Sequence, residues 1–332
     1  MTIADQIIGH VGHNLSRPEC VLATSNGDFF TAHGDRGVAR IRPDGTQLAL
    51  APPTKAGGVP ILANGIALQQ DGSFLVSNIA DGGGLFILDP DGMRLFHDCR
   101  PNGESGTTPP PVNFVYPDQM GRIWITVSST YSPRSLAYNR QTANGYIGVI
   151  ENGEFRIVVD GLAYTNELRT DYENGWLYVA ETMRQKISRI RLDDKGLHGG
   201  PELFAQMPRG AFVDGLEVDS EGAVLAACII SNEIFRITPD GQMSVIAGER
   251  MDAWVDEVEQ AFDAGHMGRP HLDKSPTQHL RNTASVTFCG EELDTLVCGV
   301  LLDDKLPLLK ADVKGRPPLH WHVDVPVWGE PF

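Results

Sequence analysis

Short stretches of alternating apolar and polar residues recur along the chain, each broken by a turn that pairs Asp or Asn with Gly. ECVLATSNGDFFTAHGDRGVARIRPDG is followed by NGIALQQDGSFLVSNIADGGGLFILDPDG and then by NFVYPDQMGRIWITVSS with NGYIGVIENG. Three further copies are NELRTDYENGWLYVAETMRQKISRIRLDDKG, DGLEVDSEGAVLAACIISNEIFRITPDG and ASVTFCGEELDTLVCGVLLDDKLPLLKADVKG. Alternation with period two marks strands with one buried face. The first five turn glycines, Gly27, Gly72, Gly121, Gly175 and Gly222, stand 45, 49, 54 and 47 residues apart. Strands repeated at that period are the signature of propeller blades, each a four-stranded sheet. Six copies predict an all-β, six-bladed β-propeller that occupies residues 1–332 as a single domain. The early stretch IADQIIGHVG is expected to close the ring as the outer strand of the last blade, which removes an exposed sheet edge.

One segment has helical periodicity instead. In MDAWVDEVEQAFDAG, from Met251 to Gly265, residues Trp254, Val255, Val258, Ala261 and Phe262 share one stripe, and Gly265 is the stop signal. This short helix lies in an insertion, about 249–281, between blades 5 and 6, and reads as a lid or as an interface. Three other long connections, 51–60, 101–111 and 128–144, fall on the same face of the ring, where together they would wall a pocket. Tyr131, Tyr164, Phe212, Trp254 and Phe262 are expected to make that pocket apolar. Tyr131 is the substrate contact among them.

The first strand of each blade lines the central channel. Counting back eight residues from the turn glycine gives Glu19, Asn64, Asn113 and Asp214, and nine gives Asn166, where DYENG carries one extra turn residue. A lone Asn at a strand start is ordinary turn chemistry. Five in register bring carboxylates and carboxamides together on one axis, and clustered buried carboxylates need a cation between them. An all-oxygen donor set suits a hard divalent ion, Ca²⁺ first, with Mg²⁺ and Mn²⁺ close behind. Fe²⁺ and Zn²⁺ tolerate oxygen donors, although a nitrogen- or sulfur-ligated zinc site is disfavoured because no His or Cys joins the register. His33, at the end of a second strand, is a candidate acid or base, and Glu181 and Asn78 occupy similar supporting positions.

Composition narrows the function further. The net charge of −16 lacks the basic face that nucleic-acid binding needs. The five cysteines are scattered, without the spacing of a disulfide framework or a zinc site. No secretory leader is evident and no apolar run reaches the roughly 20 residues of a membrane span, so the expectation is a cytoplasmic protein, monomer or homodimer, that contacts no membrane. Serine-hydrolase elbow, P-loop and dinucleotide motifs are absent.

The ordered register residues resemble the senescence-marker-protein/gluconolactonase family, also called regucalcin-like, over about residues 15–248 and 283–316. The resemblance rests on Glu19 in RPECV, Asn113 in PVNFV, Asn166 in YTNEL and Asp214 in FVDGL, together with TASVTFCGEELDTLVCG in the sixth blade. It implies a metal-dependent hydrolase acting on a small-molecule lactone. The metal ligands it implies are Glu19, Asn113, Asn166 and Asp214. Asp214 also serves as the base for the attacking water, Asn113 shares the catalytic centre, and Asn64 and Asn113 hold substrate. The chain departs from the family where Cys20, Phe114 and Glu167 follow three of these residues. Pro111 stands where the sugar-lactone hydrolases carry an Arg, and SSTYS replaces an acidic contact after GRIWIT. These departures imply a lactone less polar than a sugar lactone. A phosphotriesterase on the same site and a non-enzymatic calcium-binding propeller are the alternatives.

Overall fold

A computed structural model describes residues 3–50, 55–56, 58–100 and 108–332. Six antiparallel sheets form a β-propeller ring. Blade 1 comprises Val21–Ala23, Phe29–Ala32, Val38–Ile41 and Gln47–Ala49, and blade 2 comprises Ala63–Leu68, Phe74–Asn78, Leu85–Asp89 and Gly92–His97. Blade 3 runs through Phe114–Pro117, Ile123–Val127, Gly145–Glu151 and Glu154–Leu162, and blade 4 through Thr165–Asp171, Trp176–Glu181, Lys186–Asp193 and Gly196–Gln206. Blade 5 contains Val213–Val218, Val224–Cys228, Glu233–Ile237 and Met243–Gly248. Blade 6 takes Thr283–Cys289, Thr295–Val300 and Leu306–Lys310 from the end of the chain, and its outer strand, Ile7–Val11, from the beginning. The ring therefore closes as the N-terminal pattern predicts. The C-terminus adds a strand not foreseen: Glu330–Pro331 pairs with Leu48 and Ala49 and covers the outer edge of blade 1.

The inner and second strands are buried almost throughout, and Phe30, Phe74, Phe86, Trp124 and Tyr178 fill the space between blades. The five turn glycines adopt φ between 72° and 85°, a region open to Gly at little steric cost. The turn carboxylates act beyond their own turns. Asp118 accepts the Met120 and Arg122 amides, the Arg122 guanidinium and the Trp124 indole, and Asp219 likewise accepts the Glu221 and Ala223 amides and Arg236. All five cysteines are buried and unpaired. Among the described residues no helix is long and apolar enough to cross a membrane.

The insertion folds as a helix at Asp252–Asp263, followed by a single turn at Arg269–Leu272. Its apolar stripe, Trp254, Val255, Val258 and Phe262, is buried against Tyr138, Tyr164, Phe212 and Ile229 of the propeller. Glu259, 1% exposed, pins the helix by accepting the Gly210 amide and the Gln185 carboxamide and by pairing with Arg140 at 3.1 Å. Of the other long connections, residues 51–54, 57 and 101–107 lie outside the described residues.

Candidate metal centre and active site

Local strand geometry explains why the register residues converge. In blades 2, 4 and 5 the inner strand starts with a bulge. Ala63 and Ile66 face Asn78 and Val76, Thr165 and Leu168 face Glu181 and Val179, and Val213 and Leu216 face Cys228 and Ala226. A bulge re-aims the side chain of its extra residue, and the residues inside these three bulges begin with Asn64, Asn166 and Asp214. Glycine follows in two of them because the next blade comes very close. A Cβ at Gly65 would lie 2.8 Å from Phe114 Cα, and one at Gly215 would lie 2.4 Å from the Ala284 carbonyl oxygen. In blade 4 that place belongs to Glu167, whose carboxylate pairs with Arg169 at 3.0 Å and accepts the Leu216 amide. Blade 6 shifts register at Ala284, which offers no polar group.

Glu19, Asn64, Asn113, Asn166 and Asp214 all line one cavity at the channel mouth, and each is buried. Asn64 spends both amide hydrogens on positioning: its Nδ2 donates to Glu19 Oε1 at 2.6 Å and to the Asn113 carbonyl at 3.0 Å. Glu19 Oε2 accepts from Arg17 at 3.0 Å. Asn166 Nδ2 donates to Thr182 Oγ1, whose own hydroxyl donates to the Val213 carbonyl, so the Asn166 oxygen is left facing the cavity.

The decisive feature is what these oxygens lack. Asn113 Oδ1, Asn166 Oδ1 and Asp214 Oδ1 are all buried without a hydrogen-bond partner. Each such group costs about 1–3 kcal/mol, and three in one cavity describe a site shaped for something that binds oxygen. Asp214 is held well above the usual carboxylate range, first by burial and then by repulsion from Glu19 and Glu167, against the pull of Arg17 and Arg134. A hard divalent cation between Glu19 and Asp214 would relieve both penalties, and the two carboxamide oxygens would complete its shell. The residues therefore fit the metal. Two of the four donors, Asn113 and Asn166, are carboxamides, and among the described residues no three His, Cys, Asp or Glu side chains cluster as a metal site.

Other expected site residues lie elsewhere. His33 stacks on Phe332 at 4.5 Å and accepts the Ser16 amide, and burial pushes its pKa down to about 4. It does not line the cavity, so the acid–base expectation is corrected to a structural one. Asn78 fastens Leu62, Ala80, Pro60 and Gly83, and Glu181 accepts from Ala163 and Ser188 and pairs with Lys186. Tyr131 is 46% exposed and absent from the cavity wall; Arg134 and Tyr138 of the same connection line it instead. Trp254, Phe262 and Phe212 pack beneath the helix rather than facing the cavity. The lining is mixed, since Tyr138, Tyr164, Met183 and Leu272 share it with Arg17, Arg134, Arg269 and Asp273. The expected apolar pocket is corrected accordingly. Arg17 and Tyr164 hold φ of 48° and 58°, strained for side-chain-bearing residues and typical of functional sites.

A six-bladed propeller with a polar oxygen site at the mouth of its channel defines the class. Within it, residues 38–247 match the SMP-30/gluconolactonase/LRE-like region, and the chain belongs to that family. It is similar to the 6-deoxy-6-sulfogluconolactonase of Pseudomonas putida, 24% identical over 178 residues. That match spans 53% of this chain and 57% of the relative. Among solved structures it resembles the calcium-binding protein regucalcin of Agrobacterium tumefaciens, at 17% identity and TM-score 0.64, covering 93% of this chain and 96% of that one. A gluconolactonase of Xanthomonas campestris is alike at 17% identity and TM-score 0.65, covering 93% of this chain and 91% of that one. At these identities the structural likeness speaks for the fold.

Proposed function

We propose that the protein is a divalent-metal-dependent lactonase that opens a cyclic ester to its hydroxy acid. The observation that carries this reading is the convergence of the unpartnered Asn113, Asn166 and Asp214 oxygens beside Glu19. Family membership and the lactonase names of the relatives support it. Glu19, Asn113, Asn166 and Asp214 would hold the cation, with Ca²⁺ the first expectation for an all-oxygen shell. When bound, such a cation supplies Lewis acidity toward the ester carbonyl and charge for the developing oxyanion. Asp214 takes a proton from the attacking water as the new C–O bond forms, a role open to a carboxylate at the cavity wall. The ring C–O bond then breaks, and the same proton passes to the departing alkoxide. Asn64 keeps Glu19 aimed, and the Asn113 amide nitrogen is assigned to a substrate hydroxyl.

The test is a panel of lactones and one phosphotriester, assayed with chelator-stripped protein before and after addition of Ca²⁺, Mn²⁺, Mg²⁺ or Zn²⁺. Lactone opening that returns with metal is the expected result. Turnover of the phosphotriester alone would replace this reading with phosphoryl chemistry, and no turnover of either would remove the enzymatic reading.

A further inference from the structure

The cavity wall carries more positive charge than the oxygen donors require. Arg17, Arg134 and Arg269 all line it, opposed by Glu19, Asp214 and Asp273. With those charges in balance, a divalent cation on Glu19 and Asp214 leaves the wall with a positive excess. Two of the three guanidinium groups are already engaged. Arg17 pairs with Glu19 at 3.0 Å, and Arg269 pairs with Asp273. Arg134 has no ion pair or hydrogen bond among the described residues, although it is half-buried. It opens a short turn, Arg134–Ala137, after the second strand of blade 3, and its electrostatic neighbours are Tyr164, Tyr138, Glu19 and Arg269. A guanidinium withdrawn from water without a partner, beside a second one, is a recognition element for an oxyanion, which it can grip with two parallel hydrogen bonds.

We propose that Arg134, with Arg269 beside it, reads a negatively charged substituent on the substrate, so that the preferred lactone is anionic. The group recognised is a carboxylate, sulfonate or phosphate carried away from the reacting ester. This rests on the lactonase reading, and it reverses the expectation of a less polar substrate.

The experiment compares glucaro-1,4-lactone with glucono-1,4-lactone, which differ only in a carboxylate or a hydroxymethyl group at C6. Metal-loaded wild type, Arg134→Gln and Arg134→Lys are assayed at low and high salt. The wild type should favour the carboxylate by roughly tenfold or more in kcat/KM, as expected for one charge-assisted pair. The preference should lie mostly in KM, weaken with salt, collapse toward unity in Arg134→Gln and partly return in Arg134→Lys. Lactones bearing a 6-phosphate or 6-sulfonate show which oxyanion is matched best. A wild type without preference for any anionic lactone, or a preference unchanged in Arg134→Gln, overturns the proposal while leaving lactonase activity standing. If no lactone is opened, the lactonase reading fails by itself. The anion site is then read by thermal shift, where glucarate should stabilise wild type more than the neutral glucitol does, and Arg134→Gln should lose the difference. Equal shifts would overturn it.

Discussion

Gly299 in the second strand of blade 6 bears no functional group, yet it packs against the backbone of Glu19, one of the four residues proposed to hold the metal. A Cβ built there would lie 1.7 Å from the Glu19 carbonyl oxygen and 2.8 Å from its carbon. Ordinary contact begins near 3.4 Å, so in Gly299→Ala the Glu19 backbone must retreat by about 1.7 Å or blade 6 must yield by as much. Overpacking typically costs about 1–3 kcal/mol and more where, as here, the obstacle is backbone rather than a side-chain tip, so the melting temperature should drop. The functional cost is larger, because misplacing one member of a reacting set by about 1 Å can reduce turnover roughly a hundredfold. Glu19 also holds Asn64 and Arg17, so its shift is passed to two neighbours. The assay is kcat/KM for a lactone at saturating metal, alongside metal affinity by calorimetry. Gly200→Ala serves as control, since a Cβ there meets nothing within 4 Å. A folded Gly299→Ala protein with wild-type metal affinity and turnover would refute the reasoning.

Three further outcomes are expected. In chelator-treated protein, burial pushes Glu167 from its ordinary 4.5 up to about 7 against the pull of Arg169. The folded state then keeps a proton that the unfolded chain releases, so stability is full below about pH 4.5 and falls as pH rises through 7, by roughly 3 kcal/mol. Denaturant unfolding from pH 5 to 8 checks this, and Glu167→Gln should make the slope shallower, leaving the part that belongs to Asp214, whose carboxyl is raised in the same way. Thr182→Val frees the Asn166 amide to rotate and should weaken metal binding about tenfold, as loss of a ligand's supporting partner does; calorimetry with an unchanged constant would contradict it. Asp118→Ala strands Arg122, whose side chain is 1% exposed, and should cost about 3–5 kcal/mol in chemical denaturation without altering metal affinity.

The ring was legible in the chain because strand alternation and turn glycines repeat, and those glycines do occupy the left-handed region. The count from turn glycine to inner-strand start led to five of the cavity's polar residues, and bulges at one place in blades 2, 4 and 5 re-aim three of them, Asn64, Asn166 and Asp214. What failed to show has no period. Arg17, Arg134 and Arg269 reach the cavity from unrelated connections, and no spacing links them, although Arg17 lies two residues before Glu19 in RPEC. His33 looked exposed to the site because its cover, Phe332, comes from the opposite end of the chain. Trp254 and Phe262 form the expected amphipathic stripe, but amphipathicity tells which helix face is buried, not what it is buried against. Glu167 stands in a place where two other blades carry glycine, and only the salt bridge to Arg169 shows how the ring admits it.

The central claim is that Glu19, Asn113, Asn166 and Asp214 hold one catalytic divalent ion, and it is tested most directly by titrating metal into stripped protein while following binding heat and lactone hydrolysis together. The expected result is a single site, with activity rising in step with occupancy to one equivalent, and neither signal in Asp214→Ala. Full hydrolysis by the stripped protein, or binding and turnover unchanged in Asp214→Ala, would contradict it.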